Sequence, residues 1–498
     1  MTDVSYATIF KALGSEILVV FAALVALSVD LVTGRTTETA ARSRLASAVA
    51  AVGVLMAMFP LLGQFGQVPQ TLMDGVLVTS QVVVLFKCVI LALAAVTFIM
   101  SMYTDVGRHV GEYYALMLFA AAGMMLMVGT EDLMTLFVAL ELTSICLYVL
   151  TAMHKGALKS QEAAIKYFMF GAIASAFLLF GLSLVYGVTG TTNMRAMADT
   201  IRSTGGGGTM LAGGMLLLVV GFGFKVAVVP FHLWAPDAYE GAPTPVTALI
   251  ATGSKVASFF VLTKLMMVGF ADVAGSALWG NMASGWTLVL AIAAASSMIL
   301  GNVAAIVQTN VKRLLAYSSV AHAGYILVGL VAATEMGAVS VLFYVIVYAL
   351  TNLGAFGVVS VLADRAGGET LSDFNGMARR APVMSLLMLV FMLSLAGIPP
   401  LGGFFGKFYL FSAAIERDAS SFGLLWLVAL GIAMSAVSLY YYLVVLKHMY
   451  VEPAKDSGKV GTPPMLVLVL TILAGSVLAM GLVPDRILAL LNYMVAWL

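Results

Sequence analysis

The chain has 498 residues, of which 62% are hydrophobic and only 10% charged, with a formal net charge of +1. A soluble domain carries roughly 25% charged residues, so this composition excludes an ordinary soluble fold. A charge near neutral says little about partners, and nucleic acid is not expected among them. The pattern predicts an all-α, polytopic membrane protein, because in hydrocarbon only helices and closed barrels satisfy every backbone polar group.

Fourteen apolar runs follow one another, at 14–33, 45–63, 76–100, 113–129, 132–152, 163–187, 210–230, 246–271, 286–307, 315–333, 337–362, 383–415, 421–446 and 463–483. The first is bounded by Glu16 and Asp30 without a basic leader or a clear cleavage signal, and reads as a retained span. Gly205 to Gly208 make the linker 188–209 read as flexible. The apolar tail from Pro484 to Leu498 reads as interfacial or as a short closing helix. Cys88 and Cys146 both fall inside apolar runs, suggesting neither a disulfide framework nor a metal site. No CxxC, GxGxxG or GxxxxGK[ST] occurs.

Basic residues orient the spans. With both termini outside, the loops facing inward carry Arg35, Arg42, Arg44, Arg108, Lys155, Lys159, Lys312, Arg313, Arg365, Arg379, Arg380, Lys447, Lys455 and Lys459. The outward segments carry only Lys11, Arg195, Arg202, Arg417 and Arg486. The asymmetry predicts periplasmic termini. Lys312 and Arg313 read most simply as an inside anchor.

Two spans should be interrupted. The run 383–415 is 33 residues long, about 50 Å as a straight helix against a hydrocarbon core of about 30 Å. Its middle holds Pro399, Pro400, Gly402 and Gly403, followed by Lys407. The stretch 211–239 is again too long, with Lys225 before Pro230 and His232, Trp234, Pro236 and Asp237 after it. These two spans lie five apart, an odd number, so they run in opposite directions. That is the arithmetic of two inverted five-helix repeats with discontinuous helices near an ion site. The expected organisation is helices 1–3 over 1–110, a first repeat over 111–271, a second over 286–447, and a closing helix and tail over 463–498.

The candidate functional residues are titratable groups inside these runs: Glu141, Lys225, Lys255 and Lys407, with Lys264, His232 and His322 as further candidates. Of the acidic residues, Glu141 is the one placed clearly inside a span, and it needs a cation, a polar partner or a proton. Pairing with a lysine would keep both charged, and separating them would release a proton. Lys255 and Lys264 are nine residues apart, about 900° of helical turn, so they face opposite sides. Each group also has a plainer reading as a structural ion pair, a snorkelling lysine, or a capping or packing residue. For Lys87 and Lys166 the plainer reading is favoured, with Glu162 one turn before Lys166 as its partner. Such charges disfavour a purely structural scaffold. They leave a free-standing transporter and a subunit of an energy-converting complex as the two functional classes.

Four stretches carry a family resemblance: LFVALELTSICLYVL at 136–150, GFGFKVAVVPFHLWAPDAYEGAPTPVTALIATGSKVASF at 221–259, NVKRLLAYSSVAHAGY at 310–325 and SLAGIPPLGGFFGKFYLF at 394–411. In these the chain resembles the antiporter-like, proton-translocating membrane subunits of respiratory complex I, the NADH–quinone oxidoreductase, and most specifically the N-type branch. The resemblance implies a 14-helix fold with two inverted repeats in a bacterial inner membrane. It implies proton pumping driven by quinone reduction elsewhere in the complex. Glu141 matches the fifth-helix glutamate, Lys225 the seventh-helix lysine paired with it, Lys255 the eighth-helix lysine, and Lys407 the twelfth-helix lysine on the outlet side. No cofactor is implied in this chain; FMN, iron–sulfur clusters and quinone belong to partner subunits. Expected partners are an M-type neighbour, small membrane subunits, phospholipid and, indirectly, the peripheral redox arm. The chain ends at Leu498 without a long lateral helix, which argues against an L-type subunit. An M-type subunit or a standalone cation/proton antiporter is the alternative.

Overall fold

The computed structural model describes residues 5–34, 38–206, 208–419, 422–454 and 458–495, without the side chain of Ala366. Arg35, Lys455, Gly207 and the last three residues of the tail, named above, lie outside them. In chain order the first helices are α1 (Tyr6–Ala12), α2 (Gly14–Thr33), α3 (Thr39–Leu62), α4 (Gln81–Ser101), α5 (Val110–Val128), α6 (Leu133–Thr151) and α7 (Leu158–Thr189). Then come α8 (Met194–Ser203), α9 (Gly208–Val226), α10 (Trp234–Gly241), α11 (Thr244–Ala251), α12 (Gly253–Lys264), α13 (Trp286–Ile306) and α14 (Val311–Val331). The last are α15 (Glu335–Ala366), α16 (Met377–Arg380), α17 (Pro382–Ala396), α18 (Gly402–Glu416), α19 (Leu425–Tyr450), α20 (Pro464–Leu482) and α21 (Pro484–Val495). Two antiparallel hairpins, β1 (Gln70–Leu72) with β2 (Leu77–Thr79) and β3 (Ser276–Leu278) with β4 (Asn281–Ala283), are the only sheets among the described residues.

Among the described residues, thirteen helices are long and apolar enough to cross a membrane, counting Thr244–Gly269 as one. The remaining predicted span is the broken one, α17 and α18, each of 15 residues. Side chains begin many of the spans. Ser80 caps α4, Asp132 caps α6 (2.7 Å to Thr135 N), Asn310 caps α14 and Thr334 caps α15. Each satisfies amide groups that the first helical turn leaves open.

Both predicted interruptions are present. After α9 the chain turns at Ala227, whose φ is +58°, and passes a cis Val229–Pro230 bond before α10. The amide of Val229 is taken up by Ser297 Oγ at 2.9 Å, a side-chain replacement for a lost helical bond. After α17 the chain turns at Gly397, in the left-handed region at φ +85°, where a side chain is strained. Pro399–Pro400, also cis, follows, and Gly403 N reaches back to Ser394 Oγ at 3.3 Å. A further kink, unforeseen in the sequence, separates α11 from α12 at Thr252, whose φ/ψ is −120°/−72°. A π-helical turn follows at Leu265–Gly269.

The linker expected to be flexible instead contains α8. Asn193 caps it, accepting from the amides of Arg195 and Ala196, and Met194, Met197, Ala198 and Ile201 are buried. Four apolar groups at helical spacing give this segment a face to bury, which outweighs the glycines that follow. The tail is the closing helix α21, with Leu491, Met494 and Val495 buried.

The chain forms two compact units. Unit one is Met1–Lys225, Gly253–Ala274 and Met494–Leu498; unit two is Val226–Thr252 and Gly275–Tyr493. The chain thus leaves unit one directly after Lys225 and returns two residues before Lys255.

Candidate functional site

In unit one, Lys225 sits in the last turn of α9 and is half-buried. Its Nζ lies 2.5 Å from Ser144 Oγ and 3.5 Å from Tyr148 Oη, and 5.2 Å from the centre of the Phe224 ring. Glu141, also half-buried, accepts a hydrogen bond from Ser175 Oγ at 2.5 Å. Glu141, Ser144 and Tyr148 follow one another on α6 at i, i+3 and i+7, a single stripe. The expected direct ion pair is therefore not made. The carboxylate is held by α7 and the ammonium by the hydroxyls beyond it, one turn along the same stripe. Two hydroxyls supply acceptors that let the lysine stop short of the carboxylate.

Lys255 is 1% exposed, on α12 just past the Thr252 kink. Lys264, at the other end of α12, belongs to a different constellation. Its Nζ is 3.0 Å from Glu131 Oε1, and Arg195 of α8 grips the same carboxylate through Nε at 2.9 Å and Nη2 at 3.1 Å. Glu131 itself is 1% exposed. Its backbone bonds Gly75 O and Met194 N, so it ties the β1–β2 turn to α8 and α12. Burial would raise its pKa, but Lys264 and the bidentate arginine outweigh this and hold the carboxyl below its ordinary value.

Sequence reasoning missed Glu131, because it stands beside the helix cap Asp132 and reads as a loop acid. It also placed too few carboxylates inside spans. Glu16 is buried in α2 with Oε1 2.6 Å from Lys87 Nζ, though not aligned as a hydrogen bond. Asp30 is buried near the other end of α2, held by Arg42 through Nε and Nη2 at 2.8 and 2.7 Å and by the Gly111 amide at 3.0 Å. Both acids lie close to ends of an apolar run, where sequence alone treats them as boundaries. Lys87 is paired with Glu16, and Lys166 with Glu162 at 2.6 Å, the partner expected for it.

In unit two, Lys407 is 4% exposed, on α18. Its Nζ donates to Leu395 O at 3.0 Å, Ala396 O at 3.2 Å and Ser435 Oγ at 2.8 Å. Two of these acceptors are carbonyls left open at the end of half-helix α17, the negative end of its dipole. The lysine that follows the break thus caps the half-helix that precedes it. Nζ also lies 4.8 Å from the centre of the Tyr325 ring. A cavity of about 460 Å³ runs beside it, lined by Ala396, Phe408, Phe411, Ile432 and Ser435 among others.

His322 is buried on α14 between two tyrosines. Nδ1 is 2.6 Å from Tyr344 Oη and Nε2 2.9 Å from Tyr442 Oη, and Tyr442 Oη lies 2.5 Å from Ser318 Oγ. Tyr325 packs on the imidazole with ring centroids 5.5 Å apart, so one aromatic ring touches both His322 and Lys407. His232 is buried in the first break, and its Nδ1 has no hydrogen-bond partner. Lys312 is not a surface anchor: it is 3% exposed and bonded to Ala242 O at 2.9 Å and Glu369 Oε1 at 2.9 Å. Arg313 contacts Asp237 Oδ1 at 2.5 Å and Glu240 Oε2 at 3.2 Å. Both basic residues lie in the first turn of α14 and turn toward the protein, because acceptors on α10 are within reach.

Among the described residues no three His, Cys, Asp or Glu are grouped to hold a metal ion. Within unit one an amine rests on hydroxyls one turn along α6 from a carboxylate; within unit two an amine rests on carbonyls and a hydroxyl, and an imidazole lies between two phenols.

Residues 130–438 match the family model described as NADH:quinone oxidoreductase/Mrp antiporter, TM. The chain is 42% identical over 500 residues to NADH-quinone oxidoreductase subunit N 2 of Acidobacterium capsulatum, covering 98% of this chain and 99% of that one. It is 41% identical over 412 residues to NADH-quinone oxidoreductase subunit N of Rhodospirillum rubrum, covering 82% of each. A chain of respiratory complex I from Thermus thermophilus superposes with a TM-score of 0.78 at 32% identity, covering 95% of this chain and 98% of that one. A chain of the Mrp complex from a Dietzia species has a TM-score of 0.82 at 21% identity, covering 98% and 97%, a likeness of fold alone. The chain belongs to the NADH:quinone oxidoreductase/Mrp antiporter transmembrane family, in its NADH-quinone oxidoreductase subunit N branch, and is a membrane-embedded part of that enzyme complex.

Proposed function

We propose that this chain translocates protons across a bacterial inner membrane, driven by quinone reduction in other subunits of the NADH:quinone oxidoreductase. The observation that carries the reading is Lys407: a buried amine held by the open carbonyls of an interrupted helix, next to a cavity and to the Tyr325–His322 pair. An amine so placed is costly in a purely structural role and useful where charge must come and go. Protonic charge passes among Lys225, Lys255 and Lys407, with Glu141 tuning Lys225 and with His232, His322 and Lys264 in lesser roles. The two interrupted helices belong to inverted five-helix repeats over 111–271 and 286–447, preceded by helices 1–3 over 1–110 and followed by 463–498, with both termini periplasmic.

The redox chemistry resides elsewhere: FMN, iron–sulfur clusters and quinone are held by partner subunits, and an M-type subunit is a direct neighbour. The related Mrp fold motivates the second reading, a cation/proton antiporter acting alone. The test is Lys225→Ala and Glu141→Ala in the purified complex, scored for NADH–quinone turnover and proton uptake into liposomes. Both variants assemble, and both lose coupled activity. Normal pumping by fully assembled variants refutes the path, and ion-driven transport by the isolated chain favours the antiporter.

A further inference from the structure

Half-helix α10 has eight residues, too few to be stable by itself in water or lipid. It stands between an irregular turn on one side and the Ala242–Pro243 corner on the other. What holds it is the first turn of α14. Lys312 Nζ donates to Ala242 O, the carbonyl at the C-cap of α10, at 2.9 Å. This repeats at the first break what Lys407 does at the second: a lysine from elsewhere caps the negative end of a half-helix.

Arg313 adds a second point of attachment. Its Nη1 contacts Asp237 and Glu240, which stand one turn apart on α10. The clamp is itself anchored: Asn310 caps α14 through the Arg313 amide at 3.1 Å, Val311 N bonds Glu369 O at 2.9 Å, and Glu369 also holds Lys312 at 2.9 Å. Two turns further along α14, Tyr239 of α10 meets Ser319 Oγ at 3.2 Å. Ser318, the residue before, leads to Tyr442, His322 and Tyr344 through contacts of 2.5, 2.9 and 2.6 Å.

We propose that Lys312 and Arg313 are positioning residues: they clamp half-helix α10 onto α14 and so set the Tyr239–Ser319 contact beside the His322 relay. The clamp stands on the geometry; its bearing on pumping rests on the proton-translocation reading above. Because one nitrogen of Arg313 makes both contacts, a single ammonium can replace it. A charge reversal on both sides also preserves the attraction.

The test is hydrogen–deuterium exchange by mass spectrometry on the intact purified complex, followed over residues 234–242, with proton pumping measured on the same preparations. Arg313→Gln raises exchange in that segment about tenfold or more, the loss expected for charge-assisted bonds. Arg313→Lys stays near wild type, and Arg313→Glu with Asp237→Arg recovers most of the protection. Lys312→Met loosens the same segment from its C-terminal side. Wild-type exchange in Arg313→Gln overturns the clamp, as does equal loosening by Arg313→Gln and Arg313→Lys. If the glutamine variant fails to assemble, the lysine and paired variants decide: loosening in both overturns the clamp. Loosened exchange with unaltered pumping keeps the clamp and counts against the proton path instead.

Discussion

Lys225 in unit one and Lys407 in unit two occupy comparable places in the sequence, each beside an interrupted helix, yet their ammonium groups are held differently. Lys225 precedes its break and rests on hydroxyls, Ser144 and Tyr148, with Glu141 one turn away on the same stripe. Lys407 follows its break and rests on the backbone, on carbonyls that only the interruption leaves free. The first arrangement can be altered by a side-chain rotation. The second is fixed to the geometry of α17, so moving the amine means moving or uncapping a half-helix. The lesson is that a buried lysine can be tuned by neighbouring side chains or by the helix that it caps, and this family member does both.

The strongest way to break the comparison is Lys407→Ala. It removes the cation and leaves two carbonyls uncapped, so pumping falls by more than about tenfold, read as proton uptake per NADH oxidised. A variant that assembles and pumps normally ends the distinction between the two amines. The largest effect on stability is expected for Glu131→Ala, which leaves Lys264 buried without its partner. Losing one member of a buried pair costs about 3–5 kcal/mol, seen as a lower unfolding temperature of the purified complex.

That pair also has a pH signature. The Glu131 carboxyl is held below the ordinary glutamate value, so the stability it adds is complete above that value and lost as pH falls through the lower folded one. Unfolding temperatures followed downward from pH 5 should fall less steeply for Glu131→Gln than for wild type. Smaller again is Ser144→Ala. Taking one of its two hydroxyls from the Lys225 ammonium leaves Tyr148 as an acceptor and brings the amine toward Glu141, so turnover changes by about threefold. Read as local stability rather than turnover, Gly397→Ala puts a side chain in the left-handed region at a cost of about 1–2 kcal/mol, with its Cβ 3.2 Å from the Lys407 side chain. It appears as faster amide exchange around the second break, with the first break unchanged.

The spans and both interruptions were legible because each rests on a local cause. Run length gives the spans, and Pro399, Pro400 and Gly402 give the second break without reference to any other segment. Glu141, Lys225, Lys255 and Lys407 were legible for a similar reason: a charge in an apolar run stands out. What was not legible depends on partners distant in sequence. Lys264 read as a lesser path residue, and only the fold brings Glu131 and Arg195 to it from 133 and 69 positions away. Lys312 read as an anchor because nothing local reveals that Ala242, 70 residues earlier, offers it a carbonyl. The Glu141–Lys225 pairing that the resemblance implied gives way to contacts with Ser175 and Ser144, which depend on how α6 packs against α7 and α9.

The three bonds of Lys407 have an arithmetic consequence. An ammonium carries three N–H groups and a neutral amine only two, while three acceptors face it: Leu395 O, Ala396 O and Ser435 Oγ. When the proton leaves, the two remaining N–H groups keep both carbonyls, and the Ser435 hydroxyl, which can donate as well as accept, turns its proton from Ala396 O to the nitrogen's lone pair. Occupancy of a single nitrogen is thereby written into the direction of one hydroxyl bond on α19, while the carbonyls of the half-helix stay capped in both states.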